Sequence, residues 1–246
     1  MPVATFRIWR GDAKGGQFQN YTTEVAEGMV VLDAVCRIQA EQAGDLALRW
    51  NCKAGRCGSC SAEINGTPRL MCMTRLSSLK LDQPVRVEPL RAFPIIKDLV
   101  ADVSWNFEVK KQIEPFKPRP PDAPDGTWRM GQQDVNRVQE FRKCIECFLC
   151  QDVCHVLREH HKYDEFVGPR YFVHLAAMEM HPLDVENRVG DLKSSHGVGY
   201  CNITTCCRQV CPESITITEN AIIPLKERVV DEYYDPLRRL VLRIFS

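Results

Sequence analysis

Eleven of the thirteen cysteines in this 246-residue chain fall into three spaced groups, and that spacing constrains the fold more than any other feature. The first group is Cys52, Cys57, Cys60 and Cys72. The second is Cys144, Cys147, Cys150 and Cys154. The third is Cys201, Cys207 and Cys211, followed by Pro212. The spacings Cys-x4-Cys-x2-Cys and Cys-x2-Cys-x2-Cys-x3-Cys are those by which thiolates enclose iron–sulfur clusters. For close cysteines to converge on one centre, the residues between them must be small or tightly turned. Gly55, Gly58 and Ser59 meet that need in the first group, because glycine reaches backbone angles closed to other residues. An odd cysteine count fits disulfide pairing poorly.

Composition narrows the class. Lys+Arg and Asp+Glu each total 32, so the net charge is zero, which argues against a general nucleic-acid binder. The start, Met1 to Arg7, lacks a basic segment followed by an apolar run, so no secretory signal is expected. No run of 18 apolar residues exists, so no transmembrane helix is expected either. A reducing, cytosolic setting favours metal ligation by these thiols over disulfides.

The fold expected is α+β: an N-terminal β-grasp domain over residues 1–105 and an all-α helical ferredoxin domain over 106–246. Phe6 and Ile8 alternate with Arg7 and Trp9, as in a strand. Gly11-Asp12 and Gly15-Gly16 punctuate a turn, and 17–25 reads as the returning strand. Val31, Leu32, Val35 and Ile38 recur at helical spacing. A hairpin is expected over 62–70 around Asn65-Gly66, and a last strand over 84–90. This order is the β-grasp order of plant-type [2Fe–2S] ferredoxins. Residues 91–106 read as a connector. Five prolines in 115–124 impose an extended stretch. Val138, Phe141 and Ile145 mark a helix leading into the second cysteine group, and Gly168-Pro169 opens a buried helix over 170–180. No internal repeat is evident.

Cys52, Cys57, Cys60 and Cys72 are assigned to a [2Fe–2S] cluster, with a zinc knot as the alternative. In bacterial two-cluster ferredoxins the fourth cysteine of each group ligates the other cluster. Applied here, Cys144, Cys147, Cys150 and Cys211 hold a [4Fe–4S] cluster, and Cys154, Cys201 and Cys207 hold another. Thr204 stands where the third group should carry a cysteine. Threonine is a poor ligand for iron, and three thiolates favour [3Fe–4S]. Cys206 is the alternative fourth ligand, and Cys36 reads as a small core residue.

These motifs resemble the iron–sulfur subunit of succinate dehydrogenase and fumarate reductase. The resemblance rests on all three groups and on the runs Arg56-Cys-Gly-Ser-Cys-Ser and Leu70-Met-Cys-Met-Thr. It implies an electron-transfer subunit of a succinate:quinone oxidoreductase, placed in the respiratory chain and the tricarboxylic acid cycle. Electrons would pass from an FAD-containing flavoprotein subunit through the [2Fe–2S], [4Fe–4S] and [3Fe–4S] clusters toward membrane quinone. It further implies membrane-anchor subunits, which could carry haem or another redox centre, and a peripheral place on the cytoplasmic face of the inner (plasma) membrane. No catalytic residue is expected on this chain. The chain has no Gly-x-Gly-x-x-Gly of its own, so the flavin belongs to the partner. The chain departs from ubiquinone-linked members at His155, where they carry proline, and at Asn202, where they carry histidine. Alternatives are a fumarate reductase working in reverse, the electron-transfer subunit of another flavin-linked reductase, and a zinc-stabilised interaction module.

Two further features carry expectations. His155, His160 and His161 read as surface or subunit-contact histidines, the alternative being proton delivery or ligation near the last cluster. Residues 237–246 read as a basic amphipathic helix, for an anchor subunit, the headgroup layer or the chain's own domain.

Overall fold

The structure, a computed structural model, describes residues 2–236. Along the first part of the chain run β1 (Val3–Asp12), β2 (Gly15–Glu24), α1 (Val31–Glu41), β3 (Ser61–Ile64), β4 (Thr67–Leu70), β5 (Val85–Glu88), β6 (Ile95–Lys97), β7 (Val100–Ala101) and α2 (Ser104–Gln112). Then follow α3 (Gln132–Gln139), α4 (Leu149–Asp152), α5 (His155–Arg158), α6 (Pro169–Glu179), α7 (Val189–Lys193), α8 (Cys206–Gln209), a π-helical stretch at Ile217–Ile222, and α9 (Ile223–Tyr233). Among the described residues, no helix is long and apolar enough to cross a membrane. The expected C-terminal helix over 237–246 lies outside the described residues.

The chain packs as two compact units. One comprises the residues up to Trp105 together with Ile145–Val153 and Val210–Glu213; the other comprises the remaining segments. The first unit is built on a mixed sheet in the order β4-β3-β5-β1-β6-β7, with β2 also paired to β1. β1 and β2 run antiparallel from Val3 opposite Glu24 to Asp12 opposite Gly15, while β5 lies parallel to β1. The alternation in β1 sets its inner face: Ala4, Phe6 and Ile8 are buried and Arg7 is exposed. Burying a side chain such as Phe6 or Ile8 contributes roughly 1.5–3 kcal/mol. α1 covers this face with Val31, Leu32, Ala34, Val35 and Ile38, all buried. Cys36 is half-buried and packs at the edge of the same core.

The connector expected over 91–106 is largely structured. It forms the hairpin β6–β7 and the start of α2, and β6 pairs with β1 where Asp12 meets Lys97. The hairpin is held by Asp98, whose side chain is 3% exposed. Its carboxylate accepts the Gly11 N–H at 3.0 Å and the Ala47 N–H at 2.8 Å, and pairs with the Arg10 guanidinium at 3.1 Å. Strands this short carry too little periodicity to be read without those tertiary ties.

The second unit is helical. α6 begins after Gly168, whose φ of +82° suits the glycine, with Pro169 in the first turn where a missing N–H costs nothing. Eight of its eleven residues are buried, as its apolar sequence requires. It packs with a core that includes Ile217, Ala221, Ile222 and Leu225. The Tyr171 hydroxyl donates to the Asn106 carbonyl. The proline-rich stretch is extended only in its first part, whose start Arg188 ties down. From 122 it bends into a turn in which the Gly126 N–H donates to the Ala123 carbonyl at 3.0 Å, which corrects the expectation of an extended run to 124. The Arg188 guanidinium is fully buried, donates to the Glu114 carbonyl at 2.7 Å and the Pro115 carbonyl at 2.6 Å, and pairs with Glu179 at 3.3 Å and Asp184 at 3.0 Å. The helix expected to reach Ile145 ends earlier: α3 passes into a 3-10 turn at Glu140–Lys143, and Cys144 onward is loop.

Candidate metal centres

The first cysteine group occupies the loop before β3, with Cys72 just after β4. Cys52 is exposed, Cys57 half-buried, and Cys60 and Cys72 buried. The loop turns through left-handed angles at Lys53, Gly55 and Gly58. This winding aims backbone N–H groups inward: those of Ala54 and Arg56 donate to the Cys52 sulfur at 3.4 and 3.3 Å, and that of Cys52 donates to the Cys57 sulfur at 3.5 Å. Burial works to raise the Cys57 thiol, but hydrogen bonds from Cys52 and Ser59 outweigh it and draw it down to about 6. Burial pushes Cys60, beside Cys72, up to about 12. Inward-pointing amides on the Cys52 and Cys57 sulfurs suit an anionic cluster, whose charge those donors would stabilise. The fit is one of donor chemistry as well as spacing.

Gly58 also meets the second group. A Cβ on Gly58 would lie 2.6 Å from the Cys147 Cα, so only glycine allows the two loops to touch there. The Ser61 hydroxyl lies 2.8 Å from both the Gly58 and the Cys147 carbonyl oxygens, sharing its proton between the two loops. Beside them Phe148 packs edge-on against Phe93, with ring centroids 6.4 Å apart. Asp152 closes the segment. Its carboxylate accepts the Ala92 N–H at 2.9 Å, and burial, with the Glu63 carboxylate nearby, pushes it up to about 8. Glu63 is itself raised by burial, against an ion pair with Arg91 at 2.7 Å.

The second and third groups have matching backbones. Each opens after a 3-10 turn, Glu140–Lys143 in one and Val198–Tyr200 in the other. Cys144 has φ −64° and ψ 119°, and Cys201 has φ −72° and ψ 117°. Left-handed residues then flank the central position in both: Glu146 and Phe148 around Cys147, Ile203 and Thr205 around Thr204. A short helix starts five residues after the first cysteine in each, α4 at Leu149 and α8 at Cys206. The expectation of no internal repeat is thus corrected locally: the repeat resides in dihedral angles, and outside the cysteines the side chains differ too much to disclose it. Thr204 occupies the backbone position that Cys147 occupies in the second group.

In the helical unit, Cys154 and Cys207 are buried and Cys201 and Cys206 half-buried. Burial pushes Cys154 up to about 12, against N–H groups of Leu157 and Val156 that point at its sulfur. Burial likewise raises Cys207 to about 11. The Thr218 hydroxyl lies 3.6 Å from the Cys207 sulfur, and the Lys226 ammonium donates to the Cys201 carbonyl at 2.5 Å. Cys206 is within electrostatic reach of Cys154 and Cys207, and its sulfur lies 3.3 Å from the Thr204 hydroxyl. Among the described residues, no three His, Cys, Asp or Glu side chains are placed to hold a single metal ion. Ligands of one cluster bind different irons and need not share a point. His155 is half-buried with its ring edge-on to His160, centroids 6.0 Å apart; His160, His161 and Asn202 are exposed. Sequence reasoning missed Ser61, Asp152 and Thr218, whose partners lie 86, 60 and 11 residues away.

Residues 5–108 match the family described as 2Fe-2S iron-sulfur cluster binding domain, and residues 140–215 match the 4Fe-4S dicluster domain. The chain is 33% identical over 206 residues to the fumarate reductase iron-sulfur subunit of Mycobacterium tuberculosis, covering 80% of each. It is 27% identical over 235 residues to the succinate dehydrogenase iron-sulfur subunit of Paracoccus denitrificans, covering 93% of this chain and 89% of that protein. A chain of the Mycobacterium smegmatis Sdh1 complex in the apo form superposes with a TM-score of 0.91 at 58% identity, covering 95% of this chain and 98% of that one. With a β-rich [2Fe–2S] domain followed by a helical 4Fe–4S dicluster domain, the chain belongs to the electron-transfer iron–sulfur subunits of the succinate dehydrogenase and fumarate reductase family.

Proposed function

We propose that this chain is the electron-transfer subunit of a succinate:quinone oxidoreductase, dividing at residues 105/106 into a [2Fe–2S] and a dicluster domain. The ligand sets are Cys52, Cys57, Cys60 and Cys72 for [2Fe–2S]; Cys144, Cys147, Cys150 and Cys211 for [4Fe–4S]; and Cys154, Cys201 and Cys207 for [3Fe–4S]. When bound, the clusters supply one-electron steps that link a two-electron flavin reaction on a partner subunit to quinone. The chain's residues hold thiolates, aim donors at their sulfurs and exclude water from the buried ones; they make and break no bond of succinate. The observation that carries the cluster set is the matched backbone of the second and third groups, with Thr204 in the place of Cys147. A hydroxyl there favours a site with three thiolates.

The direction, succinate oxidation, is supported by 58% identity to a chain of the Sdh1 complex against 33% to a fumarate reductase subunit. The partners under this reading are an FAD-containing flavoprotein and membrane-anchor subunits, with the chain peripheral at the cytoplasmic face of the plasma membrane. One observation favours a second cluster set: the Cys206 sulfur beside Thr204 could complete a cubane. EPR of the purified complex separates the two. An oxidised [3Fe–4S] signal that disappears on reduction is expected; its absence in a complex with full iron content would assign Cys206 as the fourth ligand. For the function, Cys57→Ser should abolish succinate-to-quinone turnover while flavin-site activity with an artificial acceptor partly survives. Full quinone turnover in that variant would overturn the reading.

A further inference from the structure

We propose that Thr218 is a positioning residue for the third redox site, its hydroxyl donating to the Cys207 sulfur and raising the reduction potential of the cluster held there. The inference rests on the assignment of Cys154, Cys201 and Cys207 as ligands. Thr218 is 1% exposed and Cys207 is 6% exposed, so neither group trades this contact for water. Their separation of 3.6 Å is a hydrogen-bonding distance for the large sulfur atom. A ligating thiolate has no proton, which leaves the hydroxyl as the donor. Threonine inside a helix ordinarily returns its proton to the carbonyl four residues back. Thr218 is the second residue of the π-helical stretch Ile217–Ile222, so no helical turn precedes it to offer that carbonyl, and the stretch packs against α8. Such stretches concentrate at functional sites.

The electrostatic consequence has a definite sign. Reduction adds one electron to a site already carrying three thiolate charges. A donor aimed at one of those sulfurs stabilises the reduced form more than the oxidised form, and low local polarity enlarges the difference. The backbone N–H groups at Cys154 serve the same end but cannot be removed by substitution of their own side chains. Thr218 is a side-chain donor and can be tested.

The experiment is an EPR-monitored redox titration of the intact complex carrying Thr218→Val, Thr218→Ala or Thr218→Ser, with iron content and cluster signals measured in each. Val and Ala should lower the midpoint of the oxidised-state signal. A tenfold fall in the reduced-to-oxidised ratio at the wild-type midpoint, the expected order of effect, corresponds to about 59 mV for one electron. Ser, which keeps the hydroxyl, should stay near the wild-type value. An unchanged midpoint in Val or Ala, with the signal intact, would overturn the proposal. So would loss of the signal in both while Ser retains it, because the hydroxyl would then build the site and not tune it. Failure of the ligand assignment shows differently: Cys207→Ser would leave the wild-type signal and midpoint unaltered.

Discussion

The close approach of Gly58 to Cys147 lends itself to a quantitative test. Replacing Gly58 with alanine adds one carbon to a residue at φ +67°, and that carbon would lie 2.6 Å from the Cys147 Cα and 3.0 Å from its N and Cβ. Carbon atoms in contact prefer about 3.5–4.0 Å, so the loops must separate by roughly 1 Å. Two costs add. Holding a residue with a Cβ in the left-handed region costs about 1–2 kcal/mol. Forcing extra volume into a packed contact costs about 1–3 kcal/mol. The expected loss is therefore about 2–5 kcal/mol. Gly66→Ala isolates the first cost, since Gly66 has φ +76° and nothing within 4 Å of the added carbon. Thermal unfolding of the two variants in the intact complex should separate them by roughly 2–4 °C for each kcal/mol of packing cost. Melting of Gly58→Ala together with Gly66→Ala would refute the close-packing argument, whatever the absolute loss.

Other perturbations have equally definite signs. Arg188→Met leaves Asp184 buried without its Arg188 partner and Glu179 with the more distant Arg228 at 3.7 Å, and should cost about 3–5 kcal/mol in urea unfolding. Asp98→Ala strands the Gly11 and Ala47 N–H groups at roughly 1–3 kcal/mol for each buried donor, so it should destabilise more than Asp98→Asn, which keeps one acceptor. Asp122 is held down to about 2 by hydrogen bonds from the Arg119 guanidinium and then the Arg129 N–H. A depressed carboxyl contributes stability that is present above its unfolded value, near 4, and lost as pH falls through about 2. An NMR titration of the Asp122 side chain should therefore show a midpoint well below the usual range, and Arg119→Gln should return it upward.

How much of this was legible beforehand depends on distance along the chain. The three groups, the β1–β2 hairpin and α1 are local patterns, and sequence spacing disclosed each of them. The hairpin β6–β7 escaped because its two strands are too short for periodicity, and because Asp98 secures it to residues as far away as Gly11. α3 stopped short of Ile145 because the cysteine loop, and not the apolar spacing, decides where that helix ends. Ser61 and Asp152 could not be found in a linear reading: their roles exist only once Cys147 and Ala92 are brought to them.

The second and third groups share one backbone although Thr204 stands where the second group carries Cys147. The residues at the left-handed positions are Glu146 and Phe148 in one loop and Ile203 and Thr205 in the other. None is glycine, and Ile203 and Thr205 are β-branched, for which that region is a genuine outlier. Local preference would not choose these angles, and such residues cost on the order of 1–3 kcal/mol each. A conformation that opposes its own residues' preferences persists only where something else over-determines it. In both loops the common factor is the pair of thiols at the ends, Cys144 and Cys150 in one and Cys201 and Cys207 in the other. The central residue is free to change chemistry, from Cys147 to Thr204, while the strained angles around it stay the same. That separation lets one loop design carry a thiol or a hydroxyl at its centre while the backbone around it stays the same.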